Sequence, residues 1–131
     1  IALGPTNLSI LRWMIEQEYD AIQDIPVEVC RDMLLKHVVA GVHKRDDIPR
    51  GEQILGQTQG EGGEVFTNAF GTKFWIYSFR DTYHDIPDVG PVYLKIISFD
   101  SRAMIDVAST DIETDNGFVH SLDYSYTLGQ L

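Results

Sequence analysis

Four histidines, one cysteine and twenty carboxylates are the residues able to do acid–base, nucleophilic or metal chemistry. His37 and His43 are not at the i, i+4 spacing that puts two ligands on one helix face. His37 instead falls on an apolar stripe with Cys30 and Leu34, which reads as a buried ring bonded to backbone. His120 follows Asn116-Gly117 in an expected strand and takes the same structural reading. A triad of His120, Ser121 and Asp123 fails on geometry: neighbours on a strand point to opposite faces, and there is no Gly-x-Ser-x-Gly elbow. Cys30 sits among apolar residues of an expected helix, where burial hides its sulfur. A single cysteine also excludes an internal disulfide and a paired-cysteine zinc site.

Asp111, Glu113 and Asp115 alternate like the start of a calcium loop. The glycine comes one place late, at Gly117, and Leu122 stands where a bidentate Glu belongs. Asn116-Gly117 is the strongest hairpin signal in the chain, with Gly117 expected at positive φ. Asp46, Asp47 and Glu52 read as a solvated acidic loop. Gly60-Glu61-Gly62-Gly63 lacks the Gly-Lys-Ser/Thr end of a phosphate loop. Asn7-Leu8-Ser9 fits a glycosylation pattern, but Thr6 or Asn7 is needed to cap a helix. The reading assigns no catalytic residue, no metal and no cofactor.

Aromatic side chains are the stronger signal. Phe66, Phe70, Phe74, Trp75, Tyr77, Phe79, Tyr83 and Tyr93 all lie between residues 66 and 93. Over residues 73–79, period two puts Phe74, Ile76 and Ser78 on one face and Trp75, Tyr77 and Phe79 on the other. Both faces are too apolar for an ordinary exposed strand. Either both are buried, or one is a contact surface; Trp75, Tyr77 and Tyr83 are the candidate contacts.

The elements that position these residues divide in two. Residues 8–18 and 27–38 carry helical stripes, the first of Leu8, Ile10, Leu11, Met14 and Ile15, the second of Cys30, Met33, Leu34, His37 and Val38. Residues 54–59, 64–69, 73–79, 92–100, 104–108, 111–113 and 118–126 read as strands, with a loop over 80–91. Helices first and strands afterwards predict an α+β domain. The chain's 131 residues make about one domain of the usual ~150-residue size, so residues 1–131 are read as one unit. A 44% hydrophobic content excludes wholesale disorder. A net charge of −10 removes the basic face that nucleic-acid binding needs. No apolar run is long enough to span a membrane. Residues 1–15 lack a signal-peptide pattern, and the opening Ile1-Ala2-Leu3 reads as cut from something longer or as a processed start.

Three segments together resemble the fasciclin domain family. Ile1-Ala2-Leu3-Gly4-Pro5-Thr6-Asn7, with Ile10 behind it, resembles the family's first box of a buried strand, Ala-Pro-Thr-Asp/Asn and a helix. Leu34-Leu35-Lys36-His37-Val38-Val39-Ala40-Gly41 is similar to Leu-Leu-x-His-Val-Val-x-Gly. Residues 111–123 resemble Asp-Ile-x-x-x-Asn-Gly-x-x-His-x-x-Asp. Gly4 and Ile10 depart from the usual Ala and Phe, the family's preceding helices are absent, and residues 70–92 look longer than usual. Lys36 stands where a Tyr often precedes the central His, so the integrin recognition associated with that pair is not carried over.

The resemblance implies a wedge of about seven strands in two small sheets with N-terminal helices against it. It makes Thr6, Asn7, His37, Asn116, Gly117 and His120 structural motif residues. It also implies an extracellular or cell-surface setting, secreted or on a lipid-anchored (lipoprotein) product, and non-enzymatic adhesion to an extracellular protein. The alternative from the residues is a glycan-binding accessory domain of a surface polysaccharide-utilisation system, using the aromatic strand.

Overall fold

Strand β5 (Lys73–Arg80) has apolar residues on both faces, and the chain is arranged to cover both. The computed structural model describes residues 1–81, 83–87 and 89–131; Thr82 and Asp88, in the expected 80–91 loop, lie outside the described residues. Phe74, Trp75, Ile76 and Tyr77 are each at most 5% exposed.

Phe74 and Ile76 join the main core. It also takes Leu94 and Ile96 from β6 (Val92–Ser98), Ile105 and Val107 from β7 (Met104–Thr114), Leu122 from β8 (Gly117–Leu122) and Leu3 from β1 (Ala2–Gly4). With β4 (Glu64–Thr67), these strands form a six-stranded sheet in the order β1-β8-β7-β6-β5-β4. The β1–β8 pair is parallel and the others antiparallel. Helices α1 (Asn7–Glu16) and α2 (Val27–Lys36) close the core with Trp13 and Met14, and with Val29 and Met33. A two-stranded hairpin, β2 (Gly51–Glu52) and β3 (Glu61–Gly62), completes an α+β fold with eight strands among the described residues.

The second face of β5 carries Trp75 and Tyr77, packed with Ile97, Val65, Phe79 and Phe99. The arm formed by residues 48–63 covers it. Ser78 holds the near end, its N–H donating to Pro49 C=O at 3.1 Å and its hydroxyl to Ile48 C=O at 3.0 Å. The Trp75 indole N–H donates to Gly62 C=O at 3.0 Å. Glycine allows this approach: a Cβ on Gly60 would lie 2.9 Å from Trp75 Cη2 as well as 2.0 Å from the Glu52 carbonyl oxygen across the arm, and one on Gly63 would lie 2.4 Å from Trp75 Nε1. Gly60 and Gly63 thus pack against the indole, and Gly62 against the Arg50 carbonyl within the arm.

Several local expectations are corrected. Residues 54–59 form no strand; they are the loop between β2 and β3, turned at Gly56 with φ 79°. Residues 104–108 and 111–113 belong to one strand, β7, whose register shifts between Val107 and Ile112, with Asp111 at φ 60°. Gly117 does not take positive φ; it opens β8 opposite Thr114, and Asp115-Asn116 make the turn. Its absent Cβ would face open space, so backbone strain on substituting Gly117 is not expected.

The helix faces are also redistributed. Thr6 caps α1, its Oγ1 accepting from the Ser9 N–H at 3.2 Å, while Asn7 is the exposed first helical residue. Ser9, Trp13 and Met14 face inward, whereas Leu8, Leu11 and Ile15 of the expected stripe are exposed. Helix α2 ends at Lys36 with His37 as its C-cap, so Val38 lies beyond the helix. Leu34 is 69% exposed, and Val29 and Met33 make the inward side.

Gly60→Ala is expected to lift the arm from Trp75 at a cost of about 1–3 kcal/mol, the range for forced overpacking. Chemical denaturation measures the loss, and the Trp75 indole N–H should lose its exchange protection. Gly117→Ala, the control, should change stability by less than about 0.5 kcal/mol. An indole resonance unchanged in the Gly60 variant would refute the packing role.

Candidate contact surface

The candidate surface is built on a frame whose polar residues are committed to structure. The His37 ring is buried at the end of α2, its Nδ1–H donating to Met33 C=O at 2.6 Å and its Nε2 accepting from the Tyr126 hydroxyl at 2.8 Å. Burial, reinforced by the Lys36 charge, lowers its pKa below the usual histidine value against the opposing Met33 bond. Burial in turn pushes the Tyr126 phenol well up, so the pair is neutral. The His37 carbonyl accepts the Leu3 N–H at 2.7 Å, tying β1 to the same point.

His120 is held as firmly. Its Nδ1 accepts the Asp111 N–H at 3.2 Å and its Nε2–H donates to His43 C=O at 2.6 Å, the pattern of a neutral ring. The positive φ of Asp111 turns that N–H inward. Asn68, which sequence reasoning passed over, is buried and fully used. Its amide donates to Lys36 C=O at 3.0 Å and Thr72 Oγ1 at 2.8 Å, and its oxygen accepts the Gly71 and Thr72 N–H groups. Asn68 followed by Gly71 was the available turn signal. Asn116 is exposed in the β7–β8 turn. Among the described residues, no three His, Cys, Asp or Glu side chains cluster closely enough to hold a metal ion.

The three aromatic candidates do not come together. Trp75 and Tyr77 are buried under the arm, stacked at 4.4 Å between ring centroids; Trp75 offers no surface to a partner, and Tyr77 shows only an edge, on the wall of the cleft described below. They are corrected to core residues. Tyr83 is 57% exposed. From Trp75 the rings continue outward as a ladder, Tyr77 to Phe79 at 5.8 Å and Phe79 to Tyr93 at 5.9 Å. The ladder therefore runs from the covered half of the hairpin toward solvent.

At the far end of the hairpin, Tyr83 and Ile86 exchange two backbone hydrogen bonds of 3.0 Å each. His84 and Asp85 between them have φ 48° and 62°, the left-handed pair that a primed two-residue turn demands. Glycine and asparagine are the easy residues there, so this turn stores backbone strain. It sets Tyr83 and Ile86, 57% and 56% exposed, opposite each other. Val89 and Tyr93 add further exposed apolar area. Beside the ladder lies a cleft of about 560 Å³, with Tyr77 and Phe79 on one wall and Arg50, Glu52, Gln53 and Lys95 on the others. Lys95 is held by Asp106 at 3.5 Å on the neighbouring strand.

No protein-family model matches the chain, and no curated protein matches it. Among solved structures it resembles a FAS1 domain pair from the insect cell adhesion molecule fasciclin I, with 15% identity and a TM-score of 0.59. The match covers 97% of this chain and 36% of that one, so this chain spans about a third of the solved chain. That likeness shows the fold: the chain has the fasciclin architecture.

His37→Ala should cost about 2–4 kcal/mol through a cavity and an orphaned Tyr126 hydroxyl. The depressed His37 pKa gives a signed pH effect. The unfolded chain takes the proton first, so stability held by the neutral ring is complete above about pH 6.5 and falls as pH drops through the lowered folded value. Urea unfolding at several pH values between 7.5 and 5 should show this loss in wild type and a smaller one in His37→Phe. Parallel pH curves would contradict it.

Proposed function

We propose that this chain is a non-enzymatic binding module of the adhesion type, working at the cell surface or outside the cell, with the end of the β5–β6 hairpin as its contact surface. The carrying observation is the strained turn that presents Tyr83 beside Ile86. Strain kept at an exposed tip has no value to the core and fits a surface shaped for recognition. Large rings give contact area at low rotamer cost. The fold's occurrence in a cell adhesion molecule supports the class of activity. The net charge of −10, with Asp81 and Asp85 at this end, favours a neutral or basic protein partner. A secreted product, or one held by a lipid anchor on the full-length protein, fits such a role.

A second reading, glycan binding, rests on the cleft beside Tyr77 and Phe79, where an aromatic wall meets polar groups as in a sugar subsite. The two readings use different residues. The domain is immobilised and challenged with a panel of extracellular matrix proteins and with a glycan array. For a protein partner, Tyr83→Ala should reduce retention by about tenfold, the effect of losing a modest hot spot. Asp85→Gly, which relieves the turn without moving Tyr83, should retain binding. Retention unaffected by Tyr83→Ala but lost with Phe79→Ala on the glycan array would shift the assignment to the second reading.

A further inference from the structure

The arm that covers Trp75 also overhangs the β6–β7 connection. Between them lies a cleft of about 510 Å³, within the roughly 300–1,000 Å³ typical of small-molecule sites. Ile54, Ile97 and Met104 supply apolar walls, and Gln57 and Thr58 supply hydrogen-bonding groups. An adjoining cleft of about 480 Å³ shares Gln57 and Thr58. Arg102 borders both.

Arg102 is placed by a turn, its N–H donating to Ser98 C=O at 3.0 Å and its backbone left-handed at φ 59°. Its guanidinium has no hydrogen bond or ion pair among the described residues. Arg12, Arg31, Arg45 and Arg80 all have partners. In a chain with twenty acidic and ten basic residues, carboxylates are plentiful, yet this cation is left open at the mouth of an apolar cleft.

We propose that this cleft binds a small amphipathic monocarboxylate, its aliphatic chain against Ile54, Ile97 and Met104 and its carboxylate on the Arg102 fork. A guanidinium offers parallel N–H donors matched to a carboxylate's two oxygens. The head group stays at the mouth, partly in water, so the ion pair escapes the full desolvation penalty of a buried one. A single cation on a strongly acidic protein favours a singly charged head over a dianion. The site uses none of the residues of the proposed contact surface, so either can fail alone.

Octanoate is the probe, with 1-octanol testing the head and acetate testing the chain. Methyl NMR of the whole chain should show saturable shifts at Ile54, Ile97 and Met104 with octanoate, binding about tenfold weaker with octanol, and none with acetate. Arg102→Gln should lower octanoate affinity about tenfold, to the octanol level, without changing stability, and Arg102→Lys should recover part of it. Octanol binding as tightly as octanoate, or an Arg102→Gln variant that binds like wild type, overturns the head-group assignment. Shifts no larger at these methyls than at exposed Leu8 and Leu11 overturn the site.

Discussion

Burial of both faces of β5 is the constraint from which the rest of the molecule follows. A strand carrying Phe74 and Ile76 on one side and Trp75 and Tyr77 on the other has no face to give to water. One side is covered by the helices and the curled sheet. On the other, none of the described residues packed with Trp75 and Tyr77 comes from a helix, and an arm of irregular chain does the work. An arm can lie flat on an indole only where it lacks side chains, which calls for glycine at 60 and 63, while Gly62 answers to the close approach of the Arg50 carbonyl within the arm. Because the arm is narrow, it cannot seal the whole face. The clefts beside Tyr77 and beside Ile97 are its two unsealed margins.

The histidines serve the same end from the other layer. Helix α2, the C-terminal segment and β1 would slide over an apolar core if only dispersion held them, since such contacts have little direction. His37 fixes all three at one point through Met33, Tyr126 and Leu3. His120 does so for the irregular stretch of β7 and the loop at His43. Neutral rings suit this role: each nitrogen has one partner and no buried charge needs compensation. His37 and His120 thus serve to register the frame.

Patterns of period two and the histidine context were legible in sequence, because both depend on residues near each other in the chain. That residues 73–79 have two apolar faces followed from Trp75 and Tyr77 alternating with Phe74 and Ile76. Which of two explanations held for the outer face did not, because the arm that covers it is encoded at residues 48–63, ahead of the strand, with glycines at 60 and 63 whose fit to the indole appears only against Trp75. Gly117 misled for a related reason. Asn-Gly predicts a primed turn, but the turn was set one residue earlier, at Asp115-Asn116. The primed turn formed instead at His84-Asp85, which carries no glycine signal at all. Arg102 was invisible too, since a cation without a partner among the described residues is defined by what the fold fails to bring near it.

That last pair of misses has a common physical meaning. Where local propensity and the fold agree, as at the Thr6 cap, the residue serves stability. Where they disagree, something other than local preference holds the conformation. His84 and Asp85 occupy left-handed backbone without the glycine that adopts it freely, and Arg102 does the same beside an apolar cleft. All three are exposed, so no buried packing forces them. The frame tolerates that cost because its stability comes from β5 and the two histidine anchors, away from these positions. Among the described residues, three of the five non-glycine residues at positive φ lie at the hairpin tip and the arm margin, where surface shape has consequences for what the chain can touch; the others are Glu18, after α1, and Asp111, whose N–H is held by His120.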